Sequence, residues 1–143
     1  MFRSGQFIGT SGRTLFGKIE CDDLTKEDYN FIIEQTIRII QNYRPNYVDF
    51  QEALPVPSGG NIFAEKLNNL SPKFRWKNDS NLILIVDDVY TTGKSINKIY
   101  NDSLIKYPKE KYEYLGIVIF NRSNNIPSWI QPIFSLNSIL GVE

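Results

Sequence analysis

The sequence predicts an α/β fold, with a central, mostly parallel β-sheet flanked by helices. Three observations carry that expectation. Leu82 to Val86 is an unbroken apolar run of strand length, as in a strand buried on both faces. Tyr29, Ile32, Ile33, Ile37 and Ile40 recur at helical spacing behind a start signal at Thr25. Strand-like and helix-like stretches then alternate along the chain, the order expected when parallel strands are joined by helical crossovers.

Each element has a local reason. Phe7, Ile8, Leu15, Phe16 and Ile19, interrupted by Gly5, Gly9, Gly12 and Gly17, read as short strands or an ordered flap. Thr25, with Asp28 three residues on, is the N-cap of the first helix, and Pro45 stops that helix near Tyr43. Tyr47 to Ala53 reads as a strand, and residues 54–60 as a turn rich in Pro and Gly. A helix follows over Asn61–Leu70. Residues 71–80 are polar and basic, with Lys73, Arg75 and Lys77 among them. After the 82–86 strand a helix runs from Thr92 to about Lys106, and Tyr114 to Phe120 is a second apolar strand. Pro127 and Pro132 mark turns before a short last strand over 133–136. Right-handed crossovers would align the strand-to-helix turns along one sheet edge, where ligands of such sheets bind.

The 143 residues fit a single domain, which at this size buries roughly 68% of its unfolded surface. Lys+Arg and Asp+Glu are 16 each, so a protein built mainly to bind nucleic acid is not expected. Histidine is absent, which removes Ser/His and Cys/His triads and the usual zinc sites. The lone Cys21 can form no intrachain disulfide and reads as a small packed residue. No stretch approaches the ~20 apolar residues of a membrane span, and the first residues lack the apolar core of a signal peptide. A soluble, cytoplasmic protein is therefore expected.

The chemistry concentrates after the 82–86 strand. Two adjacent carboxylates, Asp87 and Asp88, precede a hydroxyl-rich turn, Thr91-Thr92-Gly93-Lys94-Ser95, that opens a helix. A helix N-terminus exposes unpaired N–H groups and the positive end of a dipole, a natural phosphate site. Gly93 permits close backbone approach, and Thr91, Thr92 and Ser95 add hydroxyl donors. Carboxylates cannot hold a phosphate, but they can accept from vicinal hydroxyls or share a hard divalent cation. A ligand with a phosphate at one end and a diol nearby, such as a ribose 5-phosphate, matches the turn. A P-loop would need glycine where Asp88 stands.

The stretch Ile85 to Ser95 resembles the motif by which type I phosphoribosyltransferases bind 5-phosphoribosyl-1-pyrophosphate (PRPP): an apolar strand, two acidic residues, and a Thr-Thr/Ala-Gly turn. The resemblance implies the type I phosphoribosyltransferase fold. It implies that Asp87 and Asp88 contact the ribose hydroxyls, acting as the catalytic pair and holding Mg²⁺ directly or through water. It implies that Thr91, Thr92, Gly93, Lys94 and Ser95 cradle the 5′-phosphate. Ser58, Gly59 and Gly60 stand where the family binds pyrophosphate, although such a run is by itself an ordinary loop. Lys73, Arg75 and Lys77 are either the remnant of a basic lid over the pyrophosphate or a solvated basic turn. Arg122, after the 114–120 strand, occupies the place of a base-contacting arginine in orotate phosphoribosyltransferases, with Asn121 replacing the usual acid. Residues 1–24 and 121–143 would form hood elements, the former resembling the start of short stand-alone chains from phage and bacteria. The implied partners are PRPP and a small nitrogenous base, with a homodimer as a further possibility and neither membrane nor nucleic acid. The implied reaction transfers ribose 5-phosphate to the base with release of pyrophosphate. The segment 71–80 is too short for a full lid, which motivates the alternative of a non-catalytic PRPP or nucleotide sensor.

Overall fold

A computed structural model of the protein describes residues 24–44, 49–70 and 80–135. The elements run α1 (Lys26–Tyr43), β1 (Glu52–Pro55), α2 (Asn61–Asn68), β2 (Leu82–Tyr90), α3 (Lys94–Ser103), β3 (Glu113–Asn121) and β4 (Ile130–Ser135). The strands form one sheet in the order β1-β2-β3-β4, and every pair is parallel. The expected α/β class with a parallel sheet is therefore what the chain adopts.

β2 is the centre of that sheet. Leu82, Ile83, Leu84, Ile85 and Val86 are each fully buried, and successive side chains point to opposite faces. Leu82, Leu84 and Val86 pack with Ile32 and Ile40 of α1 and Phe63 and Leu67 of α2. Ile83 and Ile85 pack with Ile96 of α3 and with Tyr107 and Tyr114. Each side chain so buried is worth about 1.5–3 kcal/mol relative to exposure, which is why this run cannot be moved to the surface.

α1 begins as its sequence dictates. The Asp28 N–H donates to Thr25 Oγ1 (3.1 Å), and the Thr25 N–H donates back to Asp28 Oδ2 (2.8 Å). The helix ends at Tyr43, two residues before Pro45.

Several boundaries differ from the sequence expectation. β1 covers Glu52–Pro55, later than the strand read over 47–53, so Leu54 and Pro55 are strand and not turn. Proline is tolerated because β1 is an edge strand of the described sheet. The Ala53 N–H and C=O turn away from β2 and bond both ends of the Asn68 side-chain amide (2.9 Å each). Pro55, two residues on, shares that outward edge, where its missing N–H costs no ladder bond. β2 extends four residues beyond Val86, because β3 continues beside it: Asp87 pairs with Val118, Val89 with Phe120 and Tyr90 with Asn121. α3 starts at Lys94, two residues later than read, because Gly93 takes a left-handed φ of 84°.

β4 begins at Ile130, and Pro132 lies within it on the described edge of the sheet. Within the stretch 121–143 assigned to a hood, Asn121 and Ile130–Ser135 are therefore strands of the central sheet. No helix joins β3 to β4. A short link suffices because β4 starts level with Gly116, halfway along β3. The N-terminal hood 1–24 lies, apart from Leu24, outside the described residues, as do residues 136–143, Cys21, and Lys73, Arg75 and Lys77.

Candidate functional site

Parallel strands put all their carboxyl ends on one edge. At that edge the chain leaves β1 for α2 on one face and leaves β2 for α3 on the other. Neighbouring strands whose exits diverge open a crevice between them, the position where open α/β sheets bind ligands. The two sequence-predicted turns, 57–60 and 91–95, flank this crevice.

The 57–60 turn is tied to β2. The Val56 N–H donates to the Val86 C=O (2.9 Å), the Gly60 N–H to the Val56 C=O (2.8 Å), and the Asn61 N–H to the Ser58 C=O (3.1 Å). The Pro57–Ser58 peptide is cis. A Cβ at Gly60 would strike the Val86 carbonyl oxygen and press on the Val56 backbone, neither of which can swing aside. A Cβ at Gly59 would strike the Asp88 carboxylate. Glycine at both positions is what lets this turn close against the acidic pair. Ser58 is exposed at its tip.

The two carboxyls of the acidic pair interact with each other yet front different turns. Asp87 lines the pocket formed with the 91–95 turn, while the Asp88 carboxylate abuts Gly59. Each is held locally: the Asp88 N–H donates to Asp87 Oδ1 (2.8 Å) and the Val89 N–H to Asp88 Oδ1 (2.7 Å). Asp87 is buried, and burial, reinforced by the neighbouring Asp88 carboxyl, raises its pKa from 3.8 to about 8.

The pocket at this turn is lined by Asp87, Val89, Tyr90 and the whole of Thr91 to Ile96, and encloses ≈ 250 Å³ of free space including its open mouth. Gly93 offers no capping side chain to α3, so amides of its first turn are open to solvent or to a ligand. Thr92 Oγ1 makes one long contact with the Lys94 N–H (3.4 Å). Thr91, Thr92, Lys94 and Ser95 are exposed around the opening. Every residue of the expected 5′-phosphate cradle is thus brought to one pocket.

Arg122 is exposed one strand away, just past β3, and its N–H donates to the Tyr90 C=O (2.9 Å). Asn121 is buried, and its Oδ1 accepts from the Ser123 N–H (2.9 Å), so it shapes the loop that carries Arg122. Tyr90, between the acidic pair and the turn, also reaches the pocket. Its ring lies under Gly93, where an added Cβ would sit 2.7 Å from the phenol oxygen. Its signal in the sequence is a hydroxyl-bearing aromatic between an acidic pair and an anion-type turn.

Among the described residues no group of three or more Cys, Asp or Glu could hold a metal ion by itself. Asp87 and Asp88 each direct one oxygen to a backbone amide and also bond to each other through their side chains, and such a pair could contribute to Mg²⁺ held chiefly by ligand phosphates and water. Among the described residues no helix is long and apolar enough to cross a membrane.

No protein-family model matches the chain, and no curated protein matches it. Solved structures do. The crystal structure of orotate phosphoribosyltransferase from Aeropyrum pernix matches over 82% of this chain and 76% of its own, with 18% identity and a TM-score of 0.56. Helicobacter pylori xanthine-guanine-hypoxanthine phosphoribosyltransferase matches over 76% of this chain and 89% of its own, with 14% identity and a TM-score of 0.50. At such identity the likeness is one of architecture, and with the parallel sheet and the crevice between its two turns it establishes that this chain has the type I phosphoribosyltransferase fold.

Proposed function

We propose that the chain is a Mg²⁺-dependent phosphoribosyltransferase that moves ribose 5-phosphate from PRPP to a nitrogenous base, such as orotate or another pyrimidine-like base. The observation that carries this reading is the acidic pair fronting two turns: Asp87 lines the Thr91–Ser95 pocket and Asp88 abuts the Ser58-Gly59-Gly60 turn. PRPP has the matching order of groups, a 5′-phosphate, a ribose diol and a pyrophosphate. The two solved structures above are named as phosphoribosyltransferases, which supports the same chemistry.

In this reading the amides of α3 and the hydroxyls of Thr91, Thr92 and Ser95 take the 5′-phosphate, with Lys94 at the rim. Asp87 and Asp88 accept from the ribose hydroxyls, and Gly59 and Gly60 admit the pyrophosphate. Asp87 and Asp88, with the substrate phosphates, would hold Mg²⁺, which would supply neutralisation of the leaving-group charge. The bond from ribose C1 to the pyrophosphate oxygen breaks and its electron pair leaves with pyrophosphate. A nitrogen lone pair of the base forms the new bond to C1, and the proton of that nitrogen passes to solvent. Positive charge that develops on the ribose is stabilised by the adjacent carboxylates. The protein's main contribution is position. Arg122 borders the side from which the base would enter. In a homodimer, one subunit's loop would complete the other's site.

One observation favours a second reading, a PRPP or nucleotide sensor without turnover. Only residues 69–81 separate α2 from β2, little chain for a closing lid. The two are told apart by incubating the protein with PRPP, Mg²⁺ and a panel of bases while following pyrophosphate release, beside calorimetry with PRPP. Release with one base establishes the transferase. Binding without release across the panel establishes the sensor, and absence of PRPP binding removes both.

A further inference from the structure

We propose that the Tyr90 phenol is a specificity-determining donor that selects ligands carrying a phosphate monoester in the Thr91–Ser95 pocket. The proposal rests on the ribose-phosphate reading above and adds to it a residue that neither the motif nor that reading uses.

Three observations converge on this side chain. Tyr90 is only 7% exposed, and its ring packs in the cluster that holds Ile96 and Val118, which sets the position of the phenol. The hydroxyl lies at the floor of the turn, beside the Cα of Gly93, and Tyr90 lines the same pocket as Thr91 through Ser95. Among the described residues no side chain or backbone group is bonded to that hydroxyl, although Tyr90's carbonyl is taken by the Arg122 N–H. Among the described residues the one buried side-chain oxygen without a partner is on Asp49, so the Tyr90 hydroxyl reaches the solvent at the pocket. Here the rigid ring delivers an unpaired O–H donor into a pocket whose other contributions are helix amides, hydroxyls and Lys94. A ligand entering through the open mouth can supply the acceptor for this donor.

A phosphate monoester supplies several acceptor oxygens and a negative charge for one helix N-terminus. A hydrogen bond from a neutral phenol to a charged oxygen is of the stronger, charge-assisted class. Placed on a packed ring, it needs no side-chain ordering when the ligand arrives. The phenol therefore favours a phosphorylated pentose over its unphosphorylated counterpart and takes no part in holding pyrophosphate on the Gly59–Gly60 side.

Tyr90→Phe keeps the ring and removes only the hydroxyl. Isothermal titration of the full chain with ribose 5-phosphate, ribose and Mg²⁺-pyrophosphate separates the contributions. The expected result is a tenfold or greater loss of affinity for ribose 5-phosphate, unchanged affinity for pyrophosphate, and an unchanged thermal midpoint. If the natural chain binds ribose 5-phosphate and the Phe variant binds it equally well, the phenol is only solvated and the inference is overturned while the ribose-phosphate reading stands. An equal loss for pyrophosphate and ribose 5-phosphate would also overturn it, since a collapsed site and not a lost donor would be responsible. If the natural chain binds neither ribose 5-phosphate nor PRPP, the underlying reading falls and this inference falls with it.

Discussion

Asp87 follows the fully buried run Leu82–Val86 within β2, accepts the Asp88 amide on one oxygen, and lines the Thr91–Ser95 pocket. Because its folded pKa, about 8, lies above the 3.8 of an unperturbed Asp, the folded state holds more protons than the unfolded chain between these values. Stability without ligand or divalent cation is accordingly greatest below pH 4 as far as this group is concerned, and its contribution is lost as the pH rises towards 8. Asp87→Asn keeps an acceptor for the Asp88 N–H and removes the charge. Urea unfolding at a series of pH values should show the variant gaining on the natural chain as pH rises from about 4 to about 8. Parallel stability curves would contradict the assigned shift. Gly93 is a second decisive residue. With φ at 84° and the Tyr90 oxygen 2.7 Å from an added Cβ, Gly93→Ala should cost about 1–2 kcal/mol in unfolding free energy, the usual penalty for a left-handed alanine. Adding Tyr90→Phe should recover part of that loss, because the clash with the oxygen goes and the backbone penalty stays. Strict additivity of the two substitutions would show that they do not meet.

At the scale of elements, β1 is short and has no strand on its outer side among the described residues. Asn68, at the last turn of α2, substitutes for that missing strand by pairing with both polar groups of Ala53. Asn68→Ala should destabilise the fold by about 2 kcal/mol, since two groups of the nearly fully buried Ala53 lose their partner. Chemical denaturation checks the magnitude, and an effect below a few tenths would mean that water replaces the amide. This pairing was not legible in the sequence, because nothing local links Asn68 to Ala53. By contrast the start of α1 was legible. The Thr25–Asp28 capping box lies within four consecutive residues and is satisfied by them alone. The same distinction explains β2. Its first five residues announce themselves by burial on both faces, whereas its last four are held in strand geometry by β3, a partner some thirty residues away in the chain.

At the scale of the whole molecule, the site exists because β1 and β2 are neighbours whose exits turn to opposite faces. A ligand that bridges their two turns ties the halves of the sheet together and binds only the folded chain. With Mg²⁺ and PRPP at about a hundred times the dissociation constant, unfolding should cost about 2.7 kcal/mol more. A thermal midpoint indifferent to PRPP would count against the proposed ligand. What the sequence determined by itself is whatever a short stretch of chain specifies: the apolar strand 82–86, the capped first helix, and the acidic pair and glycine turn at Asp87 to Ser95. Their information is local, in periodicity, capping and backbone freedom, and it pointed correctly to an α/β fold. What only the tertiary structure decided is how these pieces face one another. The apposition of Gly59 to Asp88, the placement of Asp87 in the Thr91–Ser95 pocket, the seat of Tyr90 under Gly93, and the membership of Ile130–Ser135 in the sheet all depend on strand pairing and packing between distant residues. Those are contacts that side-chain pattern alone does not encode.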